Sequence, residues 1–534
     1  MRSRAEHGET PNVSGRHDTS RRPTGGGPVP LRFQILSVAL LSLLLYANSL
    51  VNGFVLDDTF LIVGNPWVGD FTNLPRMISA DYWAPAGQVG LYRPLTTFTY
   101  SLNHVTGGGE PLAYHLTNVF LHAANSALVL VLVLLATGRA RLSFLSALLF
   151  AAHPIHTEAV AGISSGRPDL LAAAFMLLSL VLYAARYRGR CDPKVCLTVS
   201  LVFFALALAS KESAFVLPAL VPLVGWMERT DNGNRPRPWG RLLTDSAPYL
   251  AVALTYLVVR WKVLETSSFL PILSFLDNPL VALEPGWRIV SAIYVGLRYF
   301  WLLIFPANLS YDYSFDQIPA LVSPGDPRVL LVALALFVGS ALIFVASRRN
   351  RTIAFAIAFS LLTFGIVANI VLPIGTIMAD RLLYIPSIGF TILVASILLA
   401  VDERLPGRLG RPMWLMLCIL LLGGYSIRTL VRNTDWRSEE TLFIHDVEVS
   451  PRSAKARANA GAIRLRNREA EEALAHYLAA IATGITPEQY PLPFLGVVRS
   501  LLLLDRVDEA RALYERLRPY GFRDPVAEQE IGLR

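Results

Sequence analysis

Long apolar runs, separated by short polar breaks, set the rhythm of this chain. Eleven of them read as membrane-spanning helices: Leu31 to Val51, Pro111 to Thr137, Leu142 to Ala152 with its continuation, Pro168 to Tyr187, Val195 to Ser210, Ser213 to Met227, Thr244 to Arg260, Val329 to Ala346, Thr352 to Leu372, Leu382 to Val401 and Met413 to Ser426. About 20 apolar residues in a helix cover the hydrocarbon of a bilayer. Basic residues gather in alternate breaks: Arg139 and Arg141; Arg186, Arg188, Arg190 and Lys194; Arg229, Arg235, Arg237 and Arg241; Arg348, Arg349 and Arg351; Arg404, Arg408 and Arg411. Positive loops stay cytosolic, so the N-terminus is expected in the cytosol and the C-terminus outside. That parity requires Ile289 to Phe305, although apolar, to be a re-entrant or interfacial segment.

The pattern changes at both ends. Residues 1–30 are polar and glycine- and arginine-bearing, and read as a disordered cytosolic tail. Residues 435–534 are charged, alanine-rich and helical in period. Glu471-Glu472-Ala473-Leu474-Ala475-His476-Tyr477 is echoed by Asp508-Glu509-Ala510-Arg511-Ala512-Leu513-Tyr514, and more faintly by Glu439-Glu440-Thr441-Leu442-Phe443. These offsets bracket the 34-residue tetratricopeptide period. The expected fold is thus an all-α polytopic membrane protein: a transmembrane domain over 31–428, with outer loops at 52–110 and 265–326, then a small tetratricopeptide-like domain over 435–534 on the outer side.

Composition agrees. The 534 residues are 53% hydrophobic and 16% charged, with mean hydropathy +0.45, whereas a soluble chain carries about 25% charged residues. The net charge of +8 does not indicate nucleic acid, because the basic residues sit between apolar runs. Cys191, Cys196 and Cys418 form no zinc pattern, and no disulfide framework is predicted.

The candidate chemistry converges on one side. Asp57, Asp58, Arg93, His153, His156, Glu158, Arg167, Asp169, Lys211, Glu212, Asp380 and Arg381 all fall at outer ends of spans or in outer loops. Four cations there run against the charge bias of membrane proteins, and ionisable groups near membrane depth mark function. Cations facing carboxylates suit a phosphate-bearing substrate with proton transfer. Each residue also has a structural reading: a cap for Asp57-Asp58, an ion pair for Lys211-Glu212 or Asp380-Arg381, a snorkelling arginine in Tyr92-Arg93-Pro94. His153-Pro154-Ile155-His156 lacks a third clear metal ligand.

In this order the motifs resemble those of the transmembrane-and-tetratricopeptide protein O-mannosyltransferases, members of the GT-C glycosyltransferase superfamily. The matching pieces are Phe54-Val55-Leu56-Asp57-Asp58, Tyr92-Arg93-Pro94, Tyr114-His115-Leu116-Thr117-Asn118, Ala152-His153-Pro154-Ile155-His156-Thr157-Glu158 and Gly166-Arg167-Pro168-Asp169. They continue with Ser210-Lys211-Glu212, Tyr311-Asp312-Tyr313, Asp380-Arg381-Leu382-Leu383-Tyr384 and Asp435-Trp436. The chain departs from the pattern in its short repeat array and in Asp380, where a glutamate is expected. The composition suggests a bacterial relative.

The resemblance implies a GT-C bundle of about eleven helices. It implies transfer of a sugar, mannose foremost, from a polyprenyl-phosphate donor to Ser or Thr hydroxyls of exported proteins, with inversion. Asp57 would be the general base and Asp58 would orient it or bind the acceptor. Arg93, Arg167, Lys211 and Arg381 would take the donor phosphate; His153, His156, Glu158, Asp169, Glu212 and Tyr384 would position substrate. No metal is required, and a divalent cation at Asp57 and Asp58 stays open. The expected partners are the lipid-linked donor, a protein or peptide acceptor held by the repeat domain, and the bilayer. The expected site is the bacterial inner membrane, or the ER membrane in a eukaryote, with the chemistry outside the cytosol. A lipid or glycan acceptor, a transporter and a membrane-anchored scaffold are the alternative readings.

Overall fold

The computed structural model describes residues 29–227, 238–265, 273–404 and 410–532. The expected N-terminal tail up to residue 28, and Arg229, Arg235, Arg237 and Arg408, lie outside the described residues. Those described are helical, with no strand among them.

Helix boundaries follow local chemistry. Pro111–Thr137 opens on proline at its first position and closes on Gly138 at φ +68°, where a side chain would be strained. At 27 residues it is about 40 Å long. Ala140–Ala152 stops at His153-Pro154, because proline cannot donate the next helical bond. The chain then turns by 51° into Pro154–Ala161, and this bend presents Glu158 to the site. Ile163–Tyr187 is the central helix, packed with Leu31–Tyr46, Pro111–Thr137, Ala140–Ala152, Pro193–Ser210 and Ser387–Arg404 around the largest apolar core. Pro327–Ala346 sits at the periphery with 6% of its apolar stretch buried, against 72% for Ile163–Tyr187. The chain is an integral, multi-pass membrane protein.

The span count differs from the expected eleven. Among the described residues, eight helices are long and apolar enough to cross a membrane, or nine with the bent pair as one span. Three expected spans are interrupted or short. A 3-10 turn over Glu212–Val216 precedes Leu217–Met227, Arg351–Gly365 has only 15 residues, and Ser387–Arg404 begins after a separate turn at Asp380–Leu383.

Pro285–Ile304, expected to be re-entrant or interfacial, is one unbroken helix of spanning length. Contacts anchor the chain before the helix and at its close. Just before it, Asn278 donates to Asn369 Oδ1 (2.9 Å) and Ile374 O (2.7 Å). Near its close, Leu303 O lies 3.0 Å from His153 Nε2 and accepts from Tyr425 (3.2 Å).

Cys191 and Cys196 correct a second expectation, since they pair as a disulfide. The left-handed turn at Gly189 and the helix start capped by Asp192 fold the chain back, bringing the two Cα atoms within 6.3 Å.

After Gly410–Asp435 come Glu439–Val449, Ala454–Arg466, Ala470–Ile481, Leu492–Leu503, Val507–Leu517 and Pro525–Glu530. Tyr477 lies between Gly461 and Gly496, where a Cβ would come within 3.0 Å and 2.3 Å of its ring. The two glycines let helices close over an aromatic wedge. This domain rests on the end of the bundle that carries Asp57: Trp436, Leu442, Phe443 and Ile463 form one cluster with Val55 and Ala161.

Candidate active site

The two adjacent aspartates have different surroundings. Leu56 holds a left-handed backbone at φ +56°, a conformation that costs a branched residue roughly 1–2 kcal/mol and is found where a loop must present a side chain. Asp58 is 1% exposed. Its Oδ2 accepts from Val55 N (3.0 Å) and its Oδ1 from Ser164 N (2.8 Å). That second bond staples the loop to the first turn of Ile163–Tyr187, where the helix dipole favours an anion. Asp57 is half-buried, and its carboxylate makes no hydrogen bond or ion pair with any described residue. Burial pushes the Asp57 carboxyl up, the charges of Lys455 and Arg381 pull it down, and Asp277 raises it. Burial takes Asp58 to about 6, against the pull of its Ser164 and Val55 donors.

Around the pair stand three cation–carboxylate couples. Arg381 pairs through Nη1 with Glu158 Oε1, and its backbone N–H donates to Glu158 Oε2 (2.8 Å). Lys211 Nζ meets Asp169 Oδ2 at 2.5 Å, and Arg93 meets Glu212 Oε2 through Nη2 (2.8 Å) and Nε (3.0 Å). Three of the four expected phosphate cations and the three positioning acids are thus each other's partners. None of these three cations is without a carboxylate partner. The couples form one cluster, since the Asp169 charge reaches both Arg93 and Arg381.

Other expected site residues stand apart. Arg167 is fully buried. It donates to Asn118, Asn103 Oδ1 (2.9 Å), Thr99 (3.2 Å) and Tyr114 O (2.8 Å), and lies over the Tyr100 ring. It ties Pro94–Gly107 to Pro111–Thr137, with little of its guanidinium left for a ligand. His153 and His156 are buried too: His153 accepts from Ile155 N (3.2 Å), and His156 Nε2 lies 2.8 Å from Ser387 Oγ. Tyr384 bonds His122 Nδ1 (2.8 Å) and Asn125 (3.2 Å). These residues make a buried polar layer beneath the cluster. Among the described residues no three His, Cys, Asp or Glu side chains gather as a metal site, and Asp58 has both oxygens engaged by amides, leaving Asp57 a single free carboxylate.

Sequence reasoning missed Asp277 and Lys455, whose Oδ1 and Nζ are 2.8 Å apart. Asp277 precedes Pro285–Ile304 in a loop without a motif. Lys455 does carry a signal: it is one of four lysines in a chain with 44 arginines.

A family profile described as protein O-mannosyl-transferase TMTC, DUF1736, matches residues 267–340. The chain is 32% identical to the mouse protein O-mannosyl-transferase TMTC3, over 88% of this chain and 53% of the relative. It is 29% identical to mouse TMTC4, over 80% of this chain and 63% of the relative. It therefore spans between half and two thirds of the length of these relatives. Among solved structures, the Archaeoglobus fulgidus oligosaccharyltransferase tethered to an acceptor peptide aligns with 76% of this chain and 55% of its own, at 12% identity and a TM-score of 0.43.

Proposed function

The chain is a relative of the TMTC protein O-mannosyl-transferases over 88% of its length, and on that premise we propose that it is a membrane glycosyltransferase. The proposed reaction moves a sugar, mannose foremost, from a polyprenyl-phosphate donor to Ser or Thr hydroxyls of exported proteins. The observation that carries the mechanism is the asymmetry of the aspartate pair: one carboxylate spent on two backbone amides, the next free among charges.

Asp57 is the general base. An aspartate cannot ionise a hydroxyl in advance, so the proton passes to Asp57 as the acceptor oxygen attacks the anomeric carbon. The new C–O bond forms on one face while the bond to the donor phosphate breaks on the other, with inversion. Polyprenyl phosphate leaves with the electron pair. Arg381, Lys211 and Arg93 offset its growing charge, and Glu158, Asp169 and Glu212 hold those cations in place until it develops. Asp58 fixes the loop that aims Asp57. The helices from Ala454 onward, read as tetratricopeptide-like pairs, hold the acceptor polypeptide beside the site, on the outer face of the membrane.

The test supplies the purified full chain with polyprenyl-phosphate-mannose and a Ser/Thr-rich peptide. Mannosylated peptide supports the proposal. Consumption of donor with product only on lipid or glycan moves the acceptor class, and no consumption of any polyprenyl-phosphate sugar removes the reaction.

A further inference from the structure

We infer that Lys455 is a positioning residue of this site: by docking on the loops around Asp57, the C-terminal domain brings an ammonium group to the Asp57 carboxylate. The inference rests on Asp57 being the base of the proposed transfer.

The docking is specific and involves both loops. Ser453 Oγ donates to Asp312 Oδ1 (3.0 Å) and accepts from Ala456 N (3.1 Å), so the start of Ala454–Arg466 is pinned to the outer loop. Ala454 N donates to Phe315 O (2.6 Å), and Asn459 Nδ2 bonds the Tyr311 hydroxyl. On the same helix, Ile463 shares an apolar cluster with Val55, and Leu56 packs against that cluster. The flank of Asp57 is therefore seated against the element that carries Lys455.

Lys455 itself is aimed by Asp277, 2.8 Å away, with both side chains about one-third exposed at 36% and 33%. The loop bearing Asp277 is in turn fixed by Ile377 N, which donates to Asp277 O (2.9 Å) four residues before Arg381. The charges that reach the Asp57 carboxyl are those of Lys455, Arg381 and Asp277, and Asp57 in turn acts on its neighbour Asp58 and on Tyr82. Of these, Lys455 and Arg381 are the cations; each has its own acid partner, Asp277 for Lys455 and Glu158 for Arg381, and only Lys455 comes from the C-terminal domain. Lys455 is thus the contribution of the C-terminal domain to keeping Asp57 ionised as a base. A carboxylate beside a cation stays ionised to lower pH.

The experiment uses the full chain in lipid nanodiscs. Carboxyl infrared difference spectra, each protein against its own Asp57→Asn partner, follow the titration of Asp57 in wild type, Lys455→Met and Lys455→Arg. Lys455→Met should move that titration up by about one pH unit, and Lys455→Arg should leave it near wild type. The acid limb of polyprenyl-phosphate-mannose transfer should move by the same amount in Lys455→Met. An Asp57 titration identical in Lys455→Met and wild type overturns the inference, as does activity lost equally at every pH. If wild type consumes no lipid-linked sugar, the transferase reading fails by itself, and the infrared titration still decides whether Lys455 governs Asp57.

Discussion

At the scale of residues, this protein separates buried acids that hold structure from one that is free to react. Asp446 is a third case. It is fully buried, accepts from Ser310 Oγ (2.6 Å) and Tyr311 N (2.9 Å), and joins Glu439–Val449 to the outer loop. Burial lifts its carboxyl to about 7, against the pull of Arg432 and of Ser310. In the unfolded chain it titrates near its ordinary 3.8. A folded value above the unfolded one means that the native state holds the proton more tightly, so stability grows as pH falls from about 7 towards 4 and is lost above 7. The thermal midpoint should therefore rise between pH 8 and pH 6, and Asp446→Asn should flatten that rise; an equal rise in the variant would exclude Asp446 as its source. Little of this was legible in the sequence, where Asp446 belongs to no motif. Lys211 and Arg381 stood out because cations are scarce at outer span ends, and Asp57, Asp58, Glu158, Asp169 and Glu212 because ionisable groups near membrane depth are rare. That pattern could not tell which cation each acid would meet, and so the three ion pairs were not legible. Arg167 and the histidines misled for the same reason: a polar residue at a span end satisfies a buried amide or hydroxyl as readily as it meets a ligand.

At the scale of elements, apolar length located helices well and boundaries less well. Pro111–Thr137 keeps its expected limits because proline opens it and glycine closes it. Leu382 to Val401 does not, because Asp380–Leu383 forms its own 3-10 turn before Ser387 starts the helix. That turn is what the site requires. It carries the Arg381 backbone N–H and guanidinium to the same carboxylate, Glu158, which a continuous helix would separate. The bend at Pro154 does the matching work on the other side. The two helix interruptions that hydropathy blurs are thus the two that assemble the Glu158–Arg381 couple. Pro285–Ile304 shows the converse limit: charge parity made it re-entrant or interfacial, whereas it is one unbroken helix, long and apolar enough to cross a membrane.

At the scale of the whole molecule, the C-terminal helices form part of the wall of the site. Trp436 is fully buried in the cluster that holds Val55, and the charge of Lys455, from the same domain, pulls down on the Asp57 carboxyl. Ending the chain after Thr434 should therefore abolish transfer to small hydroxyl acceptors as well as to proteins. Retained activity on small acceptors, with loss on proteins alone, would show that the domain only presents substrate. In the proposed transfer Asp57, and not its neighbour, takes the acceptor proton. The most direct measurement is the single-turnover transfer rate from polyprenyl-phosphate-mannose to peptide in Asp57→Asn, with donor binding measured on the same preparation. Donor binding should be unchanged and the rate lower by at least about 100-fold, the lower bound for a general base. Transfer at the wild-type rate in Asp57→Asn would exclude Asp57 as the base.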